Sequence, residues 1–165
     1  MRRTELRRKS PMRRTGIKSR LVSTGPDAAT VDAVLERDGH MCAVGGHPLG
    51  PVRGVDWSIH HRRPRGMGGT SAPDVNLPSN LLTVCGNGVE GCHGLIEAHR
   101  AAAYERGWLL RGGDVPSQVP ILHALHNWCY LTDDGLALMA PPPINRDGDL
   151  DFGGYWADQE ASDAY

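Results

Sequence analysis

The chain has 165 residues and a formal net charge of −1, with 5% aromatic residues, 21 glycines and 12 prolines. This length allows one domain with tails, and the glycine and proline content predicts a small domain rich in loops. Domains of this kind are often stabilised by a bound metal. No secretory signal and no long apolar run occurs in the sequence. We therefore expect a cytoplasmic protein without membrane contact, in which clustered Cys and His bind metal rather than form disulfides.

Charge divides the chain into three parts. Residues 1–20 carry nine Lys or Arg and one acid, whereas residues 127–165 carry one Arg and eight acids. We expect a basic flexible arm over 1–26, a folded domain over 27–140 and an acidic flexible tail over 141–165. The arm has two interpretations: a solvated segment without a specific role, or an arm that follows DNA and adds salt-dependent affinity for each phosphate it neutralises.

The middle of the chain predicts short helices and strands in an α+β order. Apolar spacing and turn residues indicate each one. In chain order they are a helix over 27–37, strands over 55–61 and 81–84, a helix over 92–106 with Leu95, Ile96 and Ala103 toward the core, strands over 108–110 and 119–122, and a hairpin that turns at residues 133–135.

Residues 57–99 gather the side chains that carry chemistry. His60 and His61 end the first predicted strand, and His93 begins a helix on which Glu97 lies one turn later. Positions i and i+4 are neighbours on a helix, so His93 and Glu97 can share one metal ion with a strand histidine as third ligand. His99 falls off that face. Adjacent strand residues point to opposite faces, so the two strand histidines reach one site only where the strand ends or twists.

The segments HHRRPRGMGG (60–69) and CHGLIEAHR (92–100), with Asn80 leading into LLTVC, resemble the HNH nuclease family over about residues 37–107. The resemblance implies a ββα-metal (His-Me finger) core with a flanking helix and a C-terminal hairpin. It also implies one catalytic divalent ion, which can be Mg, Mn, Ni or Zn. The implied roles are His61 as general base, Asn80 as the asparagine that orients it, and His60, His93 and Glu97 as metal ligands.

Two of these assignments have competitors. Asn76 is a rival for the central asparagine, because it also precedes a leucine. The position of Glu97 is often histidine in the family.

The resemblance also implies a structural zinc held by two cysteine pairs. Cys42 matches the first position, but Gly45 stands where its partner is expected; Cys85 and Cys92 match the second pair with a six-residue spacer. His47 can replace the missing thiolate, giving a site of three cysteines and one histidine, which is a known type, and His40 is a weaker substitute. Alternatively the thiols are simply buried apolar groups. Cys129 lies apart in sequence and is expected to be a core thiol.

The implied function is metal-dependent cleavage or nicking of double-stranded DNA. His61 would take a proton from the attacking water while the ion stabilises the leaving oxygen. Arg62, Arg63 and Arg65 follow the base and are expected to contact DNA phosphates; the alternative, ordinary surface charge, is less favoured because three arginines lie beside the proposed phosphodiester site.

Other interpretations remain. The residues of the two segments resemble those of HNH proteins from actinobacterial bacteriophages. This resemblance implies a role in DNA packaging, a phage terminase as partner and location in the host cytoplasm. The alternative function is that of a DNA-binding accessory protein, which is stabilised by a structural zinc ion and has no catalytic activity. A purely structural interaction protein is ranked last, because it leaves the His-His, Asn, His order unexplained. Sequence specificity and oligomeric state are left open.

Overall fold

The computed structural model describes residues 25–65 and 72–144, so the basic arm up to residue 24 and the tail from residue 145 lie outside the described residues. The described chain is α+β, with three helices and two small sheets. The helices are α1 (Ala28–Arg37), α2 (Gly91–Ala98) and α3 (Arg100–Glu105), and the strands are β1 (Trp57–His61), β2 (Leu81–Cys85), β3 (Ile121–His123), β4 (Asn127–Leu131) and β5 (Ala137–Met139).

Helix α1 has the start and stop that its sequence predicts. The Asp27 side chain accepts a hydrogen bond of 2.8 Å from the backbone N–H of Thr30, which satisfies one of the free donors at the helix start. Val31 and Val34 are buried on one face. The helix ends at Asp38, and Gly39 follows with a φ of 64° that favours glycine.

Strands β1 and β2 form an antiparallel pair that positions the candidate site. The register sets Trp57 opposite Cys85 and His61 opposite Leu81. The first four residues of β2 are buried, as its continuous apolar run predicts. Helix α2 follows β2 after a short turn and packs against it, with Ile96 fully buried between them.

The predicted helix over 92–106 is divided in two. The backbone of His99 leaves helical geometry, with φ −116° and ψ 54°, and both α2 and α3 meet there. The break rotates α3 relative to α2. Ile96 and Ala103 are buried as expected, but Leu95 is 46% exposed, so its predicted place in the core is wrong.

The second sheet has the order β3-β4-β5, with each neighbouring pair antiparallel. The hairpin predicted at residues 133–135 joins β4 to β5, and Gly135 adopts a φ of 89° in its turn. The strand predicted over 108–110, which lies within the described residues, is absent. Those residues are buried, but the N–H groups of Leu109 and Leu110 bond singly to Ala103 and Arg62 rather than to a strand partner.

A buried ionic group joins the first helix to both sheets. The Asp38 carboxylate accepts hydrogen bonds from Arg37, from Thr83 of β2 and from His123 of β3, at 2.7 to 3.0 Å. Because every oxygen of this buried carboxylate has partners, the group can hold α1 against the two sheets without an unsatisfied charge. No helix in the described part of the chain has the length and apolar character to cross a membrane.

Candidate functional site: two metal-ligating clusters

The first cluster joins three thiols and one imidazole from two turns. Cys42 and His47 face each other across a tight turn, in which the N–H of Cys42 bonds to the carbonyl of His47 at 2.9 Å. Cys85 ends β2 and Cys92 lies in the first turn of α2. One ligand atom from each of the four residues lies within 4.8 Å of the other three. A set of three cysteines and one histidine at this spacing can hold a metal ion such as zinc.

Gly45 leaves the space that the His47 ring occupies in this cluster. A Cβ atom at residue 45 would lie 2.4 Å from Cε1 and 2.6 Å from Nδ1 of His47, and 3.1 Å from Sγ of Cys92. The space that a side chain at position 45 would take is therefore filled by the imidazole. The His47 ring replaces the cysteine expected there, and His40, the weaker substitute, is not among the grouped residues.

The charges of the thiols favour a bound cation. The pKa of Cys42 is lowered to about 5, first by a hydrogen bond from Cys92 and also by backbone N–H groups. The pKa of Cys92 is raised, mainly because it donates to Cys42, and burial raises the pKa of Cys85. One thiol thus ionises at the expense of its neighbours. A divalent cation would allow all three to be thiolates, which is the state that binds metal.

The second cluster lies between β1 and α2. His60, His93 and Glu97 each place one ligand atom within 4.8 Å of the other two. The His60 and His93 rings lie edge to face, with their centroids 5.1 Å apart. Two imidazoles and one carboxylate form a set that accepts several divalent ions and leaves coordination positions open. The structure therefore brings together the three residues that the sequence predicts as ligands.

His60 is held as a neutral ligand. Its Nε2 lies 2.9 Å from the carbonyl oxygen of Trp108, and because a carbonyl only accepts, Nε2 carries the proton and Nδ1 keeps a lone pair. Burial lowers the pKa of His60 to about 3, and the charge of His93 acts in the same direction. A buried imidazole that resists protonation is suited to binding a cation.

Glu97 is the most exposed member of the cluster. Its carboxylate forms an ion pair of 2.7 Å with Arg100, and both side chains are at least 40% exposed. An exposed pair of this kind is worth no more than about 1 kcal/mol. Its loss would therefore be a small cost if Glu97 turned an oxygen toward a cation.

His61 is separated from the ligand cluster. It is the last residue of β1 and is not among the grouped residues, and its Nε2 lies 3.1 Å from Oδ1 of Asn76. Burial lowers the pKa of His61, with the Asn76 bond acting in the opposite direction. With Nε2 donating to Asn76, Nδ1 is the atom able to take a proton.

Asn80 contacts the backbone rather than the His61 ring. Its Oδ1 accepts from the N–H of Arg63 at 2.7 Å, and its Nδ2 donates to the carbonyl of Val75 at 2.8 Å. It is fully buried and so fixes the loop that follows His61. Asn76, the rival in the sequence, makes the direct contact with the histidine.

Arg62 is buried, so its side chain is not exposed for the DNA contact that the sequence predicts. Its side chain is fully buried, and its guanidinium donates to five backbone carbonyls at 2.8 to 3.4 Å. These carbonyls belong to Ser79, Gly107, Pro116, Val119 and Pro120. A long cationic side chain in this position links the loops around the end of β1.

The remaining arginines near the site are more accessible. Arg63 pairs with Asp74 and donates to the carbonyl of Asp114, with 16% of its side chain exposed. Arg65 is half-buried, and its charge contributes to the lowered pKa of His61, which places it near that ring.

Two exposed arginines that no sequence pattern singled out lie at the Tyr104 ring, and one of them, Arg100, pairs with Glu97. Arg100 and Arg111 have their guanidinium carbons 5.8 and 4.9 Å from the centroid of the Tyr104 ring. They come from different segments, so only the fold brings them together. The sequence signal that was available is the helical spacing of Glu97, Arg100 and Tyr104 on neighbouring turns.

Two other candidate residues lie outside both clusters. His99 is exposed at the junction of α2 and α3, as its position off the ligand face predicts. Cys129 is buried in the core, where burial raises the pKa of its thiol to about 11. Neither belongs to a metal-ligating group among the described residues.

Comparisons of this chain with protein-family models, with curated proteins and with solved structures give no match.

Proposed function

We propose that this protein is a metal-dependent endonuclease of the ββα-metal (HNH) type, which nicks or cleaves double-stranded DNA. One observation carries the proposal. The ligand cluster of His60, His93 and Glu97 lies between β1 and α2, and the next residue of β1, His61, is an imidazole outside that cluster. A cation and a separate base at adjoining positions are what hydrolysis of a phosphodiester needs.

The order of the elements supports this proposal. An antiparallel pair, β1 and β2, is followed by α2, with one ligand on the first strand and two on the helix. The resemblance of the sequence to HNH nucleases implies the same distribution. Each of the ions Mg, Mn, Ni and Zn is compatible with two imidazoles and a carboxylate.

In the proposed mechanism His61 acts as the general base. Nδ1 takes the proton of a water that attacks phosphorus in line, while the Nε2–H bond to Asn76 holds the ring. Asn80 contributes indirectly, by fixing the backbone at Arg63. The cation, when bound, supplies positive charge for the leaving 3′ oxygen. Arg65, Arg100 and Arg111, none of which is fully buried, are proposed to contact flanking phosphates.

The Cys42, His47, Cys85 and Cys92 cluster is proposed to hold a structural zinc. Cys92 directly precedes His93, so the metal that fixes α2 at its first turn would also fix the first ligand of the second cluster. Three thiolates and one imidazole leave no open position for a substrate, which is typical of a structural site.

The proposed partners are double-stranded DNA and, if the phage resemblance reflects a packaging role, a terminase. The alternative is a zinc-stapled DNA-binding accessory protein without catalysis. Both bind DNA, but only the nuclease requires the His61 imidazole and the ions of the second cluster.

A plasmid assay separates the two functions. Supercoiled plasmid is incubated with the parent, His61→Ala and the control His99→Ala, with Mg²⁺, Mn²⁺, Ni²⁺ or Zn²⁺. We expect the parent and the control to nick the plasmid with at least one ion, and His61→Ala to be slower by about 10²–10⁴-fold. Nicking that survives His61→Ala would refute the role of His61. DNA binding without cleavage by any ion would favour the accessory protein.

A further inference from the structure

Ser58 joins β1 to the turn before α2 through one hydroxyl group. Its Oγ lies 2.8 Å from the carbonyl oxygen of Gly86 and 2.7 Å from Nδ1 of His93. Ser58 lies two residues before His60, so both side chains point to the same face of the strand, toward α2. The hydroxyl therefore contacts His93, one of the three residues of the second cluster, at Nδ1.

The hydrogen-bond inventory fixes the direction of both bonds. A serine hydroxyl has a single proton, and a backbone carbonyl can only accept. The proton of Ser58 is therefore used by Gly86, and the Oγ lone pair accepts from His93. It follows that Nδ1 of His93 carries the proton and that Nε2 keeps the lone pair.

The carbonyl at Gly86 is itself held in place. Gly86 has a φ of 76°, and a Cβ there would lie 2.2 Å from the carbonyl oxygen of Glu90. Only glycine fits this turn. The residue follows Cys85, so the carbonyl that orients Ser58 belongs to the turn between the two thiols Cys85 and Cys92.

We infer that Ser58 is a positioning residue, which sets the tautomer of His93 and thereby presents Nε2 to a divalent cation. The inference rests on the proposed function for the identity of the site, but the tautomer itself follows from the two hydrogen bonds of Ser58. Together with the bond from His60 to the Trp108 carbonyl, it means that both imidazoles have their lone pairs fixed by acceptors on the protein before any ion binds.

The test compares Ser58→Ala with Ser58→Thr in the full-length protein. Alanine removes the acceptor, whereas threonine keeps the hydroxyl and suits a strand. The first measurement is ¹⁵N NMR of the imidazoles at neutral pH without a metal in the second cluster. We expect His93 of the parent and of Ser58→Thr to be protonated at Nδ1, and His93 of Ser58→Ala to lose this preference. His60, whose acceptor is unchanged, serves as the internal reference.

The second measurement is a Mn²⁺ titration followed by EPR. Mn²⁺ prefers nitrogen and oxygen ligands, so it reports on the second cluster rather than on the thiols. Loss of an outer hydrogen bond to a ligand weakens metal binding by about 10–100-fold. We expect that loss for Ser58→Ala, and an affinity close to the parent for Ser58→Thr.

The possible outcomes separate this inference from the proposed function. An unchanged Nδ1–H tautomer and unchanged Mn²⁺ affinity in Ser58→Ala would overturn the role of Ser58 and leave the nuclease proposal intact. A parent that has the Nδ1–H tautomer but binds no Mn²⁺ would support the tautomer assignment and count against the proposed metal site.

Discussion

The contact between Gly45 and His47 gives a sharp test of the proposed zinc site. A Cβ at position 45 would lie 2.4 Å from Cε1 of the imidazole, whereas ordinary van der Waals contact begins at 3.4 Å. In Gly45→Ala the ring must therefore retreat by about 1 Å. Zinc–nitrogen distances vary by only about 0.2 Å around 2.0–2.1 Å, so this displacement removes His47 from the ligand set.

We expect Gly45→Ala to weaken zinc binding by no less than about 100-fold, or ~2.8 kcal/mol, because even the loss of an outer partner of a ligand costs about 10–100-fold. The measurement is competition with a chromophoric zinc chelator. Gly88→Ala is the matched control. Gly88 lies in the turn between Cys85 and Cys92, and a Cβ there would meet nothing within 4 Å.

A cysteine introduced at position 45 provides the complementary test. Gly45→Cys alone should also weaken zinc binding, because its Cβ meets the same imidazole. Combined with His47→Ala, which removes the ring, it should restore an affinity within about tenfold of the parent through a site of four thiolates. If Gly45→Ala binds zinc as tightly as Gly88→Ala, the assignment of His47 as fourth ligand is refuted.

Three further predictions concern the frame of the site. Burial acts to raise the pKa of Asp38, but the charge of Arg37 and the bond from His123 outweigh it and lower this pKa to about 2. A folded pKa below the unfolded one means that about 2 kcal/mol of stability is present above about pH 4 and is lost as the pH falls toward 2. Urea unfolding at pH 7 and pH 2 measures this loss, and Asp38→Asn should lack both the contribution at pH 7 and its dependence on pH. Arg62→Met should lower the free energy of unfolding by ~4 kcal/mol, since five backbone carbonyls lose their donor and three of these hydrogen bonds are buried; a stability equal to the parent would contradict this. Asn76→Ala should slow nicking with unchanged stability, whereas Asn80→Ala should cost ~2 kcal/mol in urea unfolding, because it leaves buried backbone groups unsatisfied. Equal effects of the two substitutions on stability would argue against these separate roles.

Local sequence patterns were sufficient to predict several helices and strands, including β2 and α2, which carry proposed metal ligands. The apolar run of β2 and the capped start of α1 lie where the sequence predicts them. The helical spacing of His93 and Glu97 also holds in the structure, because α2 continues through both residues before it ends. Such signals depend on neighbours within one or two turns and are therefore visible without the fold.

Other features could not be predicted in this way. The helix break at His99 occurs in a segment with good helical spacing, and it is compatible with burial of both Ile96 and Ala103. The burial of Arg62 depends on carbonyls that come from segments 17 to 58 residues away. A basic run reads as surface charge unless the structure shows how many acceptors converge on one of its members.

The sequence by itself determined which chemical groups are available: the ligand types, their spacing along α2, and the glycine in the place of a fourth cysteine. Only the tertiary structure decided which of these groups lie together and which partner each side chain has. It placed His60 among the ligands and His61 beside Asn76, gave His47 the space left by Gly45, and set Ser58 against His93. The reason is physical. Spacing defines one face of one element, whereas the partner of each ring is set by packing between elements that are distant in sequence.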